Sequence, residues 1–193
     1  MKCVVIVGVG LIGGSIGGCL RANRLCQRVI GVGRHRDKLS DAQRHGLIDE
    51  YSTELAAVAP DADLIVVCTP VEQIAAIAIE ALTLSGEQCI VTDGGSTKQQ
   101  IISDVTTAFA NKPEPLARFI GSHPLAGGEK SGHQFAQANL FQNRLVVMTP
   151  TESTAAQTTS QTEKFWRSLG SQVLQQTPAD HDCALAAISH LPH

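Results

Sequence analysis

The chain has 193 residues, and at about 100 to 200 residues per domain that allows one full domain and the start of a second while excluding a long multidomain assembly. Hydrophobic residues make up 43% and charged residues 17%, enough apolar side chains to fill a core and too many for a disordered chain. With 15 Lys+Arg against 18 Asp+Glu the net charge is -3, so no global positive field exists to hold nucleic acid or an anionic membrane, and an anion site must be built locally.

A β-branched run at 3–7 reads as a buried strand. It runs into G-x-G-x-x-G at Gly8, Gly10 and Gly13, with a helix predicted over 12–24. Gly8 permits the tight turn, Gly10 lets a pyrophosphate approach the backbone, and Gly13 lets helix and strand pack closely. Leu11 and Ile12 open the helix whose N-terminus faces the anion. The apolar stretch 3–20 behind Lys2 also resembles a signal peptide or a membrane span, but its six glycines would weaken such a helix.

The second strand, 28–32, ends in RVIGVGRHR. NAD-binding proteins usually place an acid about 20 residues past the last motif glycine to hold the ribose 2′-hydroxyl. Here that position is Gly33, followed by Arg34, His35 and Arg36. A glycine leaves room for a 2′-phosphate and the basic residues supply charged donors, so the expected cofactor is NADP, with NAD as the alternative. Arg34 and Arg36 are also compatible with solvated loop charges.

A helix over 36–45 follows, then a strand at 63–68 whose end carries Thr69 and Pro70, placed to line the cofactor groove. Helices are predicted over 72–84, 97–110 and 153–169, and strands over 88–93, 118–122 and 144–148. Near-continuous apolar strands alternating with helices predict an α/β fold, a doubly wound, Rossmann-type, mostly parallel sheet. The segment 178–193 has a helical pattern with acidic residues in its first turn and stops without a glycine cap or polar tail, so more chain, or a covering partner, is expected beyond it.

Six cysteines, none in C-x-x-C spacing and most inside apolar runs, read as buried thiols of a protein in the reducing cytoplasm; no metal site is expected. The elements TDGGSTK (92–98) and IGSHPLAGGEKSG (120–132) both follow strand ends. They would turn Ser96, Lys98, His123 and Glu129 toward one crevice beside the nicotinamide. Removing hydride from an alcohol requires a base, and histidine, with an unperturbed pKa near 6.5, suits that task. His123 is the candidate; His35, His45, His133 and His181 read as surface or capping residues, His35 still counting among the groove residues.

These elements resemble the prephenate and arogenate dehydrogenases of tyrosine biosynthesis. The resemblance rests on GVGLIGGS, D-x-G-S-x-K at Asp93 to Lys98, G-S-H-P-x-A-G-x-E-x-S-G at Gly121 to Gly132, and the closing DHD…ISHLPH. It implies that His123 accepts the proton of the ring C4 hydroxyl while hydride passes to the nicotinamide, aromatisation accompanying loss of carbon dioxide. It implies further that Ser96 hydrogen-bonds this histidine and the substrate, and that Glu129 gates the entrance. Asp182, His190 and His193 match the acid and histidines of the helix leading into a second domain. On this basis 1–177 is the NADP-binding domain and 178–193 the first, truncated part of an all-helical domain that mediates homodimerisation and supplies a substrate-binding arginine. Thr97 and Leu125 depart from the family's usual residues without removing a reactive group. Two other readings remain at this point: another NADP-dependent reductase or β-hydroxyacid dehydrogenase, and a non-catalytic NADP-sensing module.

Overall fold

The computed structural model of the chain describes residues 1–128 and 130–189, so Glu129, His190 and His193 lie outside the described residues. The strands are β1 (Cys3–Val7), β2 (Arg28–Val32), β3 (Glu50–Ser52), β4 (Leu64–Val67), β5 (Ile90–Asp93), β6 (Phe119–Pro124), β7 (Leu145–Thr149) and β8 (Gln172–Gln175). The helices are α1 (Leu11–Ala22), α2 (Arg36–Arg44), α3 (Val71–Leu84), α4 (Gln99–Ala108), α5 (Ala156–Ser168) and α6 (Pro178–Ser189). All eight strands join one sheet in the order β3-β2-β1-β4-β5-β6-β7-β8. Because β1 pairs in parallel with both β2 and β4, the chain winds outward from the β1–β4 boundary in both directions. In open sheets of this kind ligands bind where the direction reverses, beyond the carboxyl ends of the strands.

Successive residues of the inner strands serve opposite faces. Val5 and Val7 pack with Ile65 and Val67 under α3 and α4, through Ile74, Ala78, Ile101 and Val105. Val4 and Ile6 pack with Leu64 and Val66 under α1 and α5, through Ile16, Leu20, Phe165 and Trp166. Burial on both faces is why these strands read as unbroken apolar runs. At about 1.5–3 kcal/mol for each fully buried Val, Ile or Leu, it fixes the strand ends on which the site is built.

The sheet is longer than the predicted one. β3 and β8, unpredicted, are short and polar because each lies at an edge, and Leu174 of β8 is exposed. An edge strand lacks a second neighbour and with it the double-faced apolar signature. β7 runs antiparallel to β6, since the connection between them carries only a short 3₁₀ turn, His133–Phe135, where a parallel return would need a crossover helix. All six cysteines are free; Cys3, Cys19 and Cys89 are buried, but Cys183 on α6 is exposed, against expectation. No described helix is long and apolar enough to cross a membrane.

Candidate active site

Two adjoining cavities occupy the crevice at the switch point. The larger, about 700 Å³, is lined by Gly8 and Gly10, by Gly33, Arg34 and His35 after β2, and by Thr69 and Pro70 after β4. The smaller, about 310 Å³, shares Thr69 and Pro70 and continues over Leu11, Ile12, Ser96 and His123. One elongated ligand can therefore span both.

In the first cavity the turn around the glycine motif is shaped by backbone, while side chains such as Val32, Leu39, Leu55 and Ile77 form most of the remaining wall. Gly8 has φ +94°, and a Cβ there would lie 2.6 Å from the Cys68 carbonyl. A Cβ on Gly13 would strike the Gly8 carbonyl, so the helix reaches this close only with glycine. A Cβ on Gly10 would meet nothing within 4 Å; it would stand in the open space where a ligand must pass. No side chain caps α1 at Gly10, which leaves the first N–H groups of the helix for an anion. Thr69 Oγ1 is buried without a partner among the described residues, an orphaned hydroxyl at the junction of the two cavities. A bare helix N-terminus, an open glycine and this hydroxyl fit a dinucleotide laid across the crevice. Of the basic residues after β2, Arg34 and His35 line the groove with Lys38, whereas Arg36 is drawn toward Tyr51 and lowers its pKa.

The second cavity sets the polar side chains of Ser96 and His123 among four glycines, Gly94, Gly95, Gly127 and Gly128. Lys98 does not face it, contrary to expectation: its ammonium and the Asp93 carboxylate are both fully buried and form an ion pair. Burial pushes the Asp93 carboxyl above its usual range even against the Lys98 charge. Asp93 also accepts the Gly95 N–H at 2.7 Å, so strand end, loop and helix start are tied at one carboxylate. The tie presents Ser96, which is exposed at the lip of the cavity. Ser96 and His123 share the cavity, but no hydrogen bond joins them.

The partner of His123 is His181. Its Nε2 lies 3.0 Å from His123 Nδ1, and the rings meet edge to face with centroids 5.2 Å apart. His181 is fully buried, so the surface role expected for it is overturned. Its Nδ1 lies 2.6 Å from Asp182 Oδ1. Asp182 in turn accepts the backbone N–H groups of Lys98 and Gln99 at 2.8 and 2.9 Å, capping α4 from α6. Burial alone would raise the Asp182 carboxyl, but the Gln99 N–H, His181 and the Lys98 N–H together hold it below its ordinary value. His123 is lowered to about 4, by burial first and then by its neighbours His181 and Lys98, with Asp182 opposing. At neutral pH it is an uncharged imidazole able to accept a proton.

His181 was missed because its contact with His123 spans 58 residues; the available signal was its place beside Asp182 in the DHD element. His133, also read as a surface residue, is mostly covered and hydrogen-bonds Asp41 at 2.7 Å, tying the β6–β7 connection to α2. His45 approaches the same carboxylate, which Arg44 already neutralises at 2.8 Å.

Fold and site define a dinucleotide-binding domain that brings an uncharged histidine to the end of its ligand crevice. Residues 16–175 match the model of the prephenate dehydrogenase nucleotide-binding domain, and the chain belongs to that family. The prephenate dehydrogenase of Bacillus subtilis (strain 168) is 32% identical over 98% of this chain and 50% of its own length. Synechocystis arogenate dehydrogenase superposes with a TM-score of 0.88 at 35% identity, over 99% of this chain and 65% of the other. Prephenate dehydrogenase from A. aeolicus, in complex with hydroxyphenyl propionate and NAD+, superposes with a TM-score of 0.90 at 33% identity, over 100% of this chain and 66% of the other. The chain thus spans about half the length of the Bacillus relative.

Proposed function

We propose that this chain is the nucleotide-binding part of a cytoplasmic, homodimeric dehydrogenase that oxidises and decarboxylates prephenate or arogenate, with NADP preferred and His123 as the base. The observation that carries this reading is His123 itself, uncharged at neutral pH and lining the cavity that continues from the glycine-lined groove. The names and the bound ligands of the relatives support the reaction class. When bound, a nicotinamide dinucleotide supplies the acceptor for the C4 hydrogen and its electron pair.

The chain's own residues do the rest. The α1 N-terminus and Gly10 hold the pyrophosphate, Thr69 hydrogen-bonds the ligand where the cavities join, and Arg34, His35 and Lys38 meet a 2′-phosphate beside Gly33. His123 takes the C4 hydroxyl proton, Ser96 orients that hydroxyl, and the carboxylate then leaves as carbon dioxide as the ring becomes aromatic. Glu129, His190 and His193 are assigned to the entrance and substrate side, whereas Asp182, expected with them, is engaged by His181 and the start of α4; 178–193 opens a helical region that carries the dimer contact. Six free thiols support a reducing compartment.

A specific observation favours NAD as the second reading: Glu54, after β3, lines the same groove and can accept from a ribose hydroxyl. The test is reduced-nucleotide formation by the full-length natural protein with prephenate and with arogenate, each with NADP and NAD. Turnover with a higher kcat/KM for NADP is expected. Tight dinucleotide binding with no turnover on either substrate would overturn the reaction, and a higher kcat/KM for NAD would overturn the cofactor preference.

A further inference from the structure

We propose that His181 and Asp182 form a proton relay with His123, in which His181 takes the proton from the back of the His123 ring and Asp182 holds the resulting imidazolium. The proposal rests on the function just given and adds two residues to its chemistry, as positioning and proton-carrying groups behind the base. The geometry orders the protons along the chain. Asp182, engaged by two backbone N–H groups, is an ionised acceptor, so the 2.6 Å contact places a proton on His181 Nδ1. In the relay His181 carries only that proton, and its Nε2 accepts at 3.0 Å from His123 Nδ1–H. His123 Nε2 is left with its lone pair, no described residue hydrogen-bonds it, and His123 lines the cavity. A carboxylate thus sets the tautomer of a base two contacts away.

The relay also answers an electrostatic difficulty. A protonated His123 would sit half-buried with the Lys98 ammonium behind it, offset by Asp93 and Asp182. When the substrate O–H bond breaks, the proton goes to His123 Nε2 and the O–H electrons form the C4=O bond as the C4 hydrogen leaves with its electron pair for the dinucleotide acceptor. The His123 Nδ1 proton moves to His181 Nε2, and the positive charge comes to rest against the Asp182 carboxylate. As the carboxylate leaves and its bonding electrons reach the C4 oxygen through the ring, the transfers reverse and that oxygen recovers a proton. No proton is gained or lost over the cycle.

The first test needs no turnover: long-range ¹H–¹⁵N spectra of the purified protein at neutral pH. Both His123 and His181 should carry their proton on Nδ1; a proton on His123 Nε2 overturns the relay. The second is His181→Gln, which preserves a hydrogen-bond acceptor and cannot carry a proton. Its kcat should fall about 10- to 100-fold with the KM for dinucleotide within about twofold. The rate of the unaltered protein in H₂O/D₂O mixtures should depend on deuterium fraction with curvature, from two protons in flight, and linearly in His181→Gln. An unchanged kcat, or a linear dependence in both, overturns the relay. No turnover by the unaltered protein rejects the proposed reaction instead, and the tautomers then decide the histidine chain by themselves.

Discussion

The two halves of the crevice are built from different materials. Around Gly8, Gly10 and Gly13 the crevice is open because side chains are missing, and its donors come from a helix end, all within six residues. Around His123 it is side chains, and the groups that tune the histidine come from the N-cap of α4 and from α6. The glycine turn tolerates little change in shape, because Gly8 abuts the Cys68 carbonyl and Gly13 the Gly8 carbonyl. A side-chain site is sensitive to charge and tautomer anywhere along its network.

The largest effect that should separate the halves is His123→Asn. Losing the proposed base should lower kcat about 100- to 10,000-fold, while dinucleotide affinity, set in the other half, stays near normal by calorimetric titration. Equal losses in both would erase the distinction. Lys98→Met follows. It strands a buried Asp93 carboxylate, and breaking one side of a buried pair costs about 3–5 kcal/mol, measurable by urea unfolding. Adding Asp93→Asn should recover much of that loss, because the stranded charge then disappears.

This contrast also sets what was legible in the sequence. The glycine motif, the strand ends and the apolar strands were readable because each signal is local: a spacing of a few residues, or a run buried on both faces. His123 and Ser96 stood at strand ends, and their shared cavity followed from the doubly wound order. The direction of Lys98 did not follow. Only the packing decides whether a lysine beside an aspartate turns outward to a ligand or inward to a fully buried pair. The His123–His181 contact was equally hidden, since α6 returns to β6 only after β7, α5 and β8 have been laid down. The edge strands β3 and β8 were missed for want of a core to face.

Arg34→Ala sharpens the comparison inside the nucleotide half, where a side chain adds to a backbone site. Removing a charge-assisted contact worth about 1.5–3 kcal/mol should weaken NADP roughly 10- to 100-fold and leave NAD almost unchanged; equal weakening, or none, would make Arg34 a solvated loop charge. A pH measurement tests the other half. The His123 pKa of about 4 lies below the unfolded value of about 6.5. Between those values the unfolded chain holds the extra proton, so its contribution to stability is present above pH 6.5 and is lost as pH falls toward 4. His123→Asn should remove that part of the acid slope.

The smallest expected change in stability is the most discriminating. Gly10 has ordinary negative φ, and a Cβ on it meets no atom within 4 Å, so Gly10→Ala should shift unfolding by only about 0.5 kcal/mol or less. The same methyl occupies the space through which a pyrophosphate reaches the helix N-terminus, so dinucleotide affinity should fall at least about tenfold, the cost of displacing a well-placed anion. A stable Gly10→Ala protein that still binds dinucleotide normally would mean the phosphates lie elsewhere in the crevice. A stable protein that has lost binding would show that in this half an empty volume, more than any side chain, makes the site.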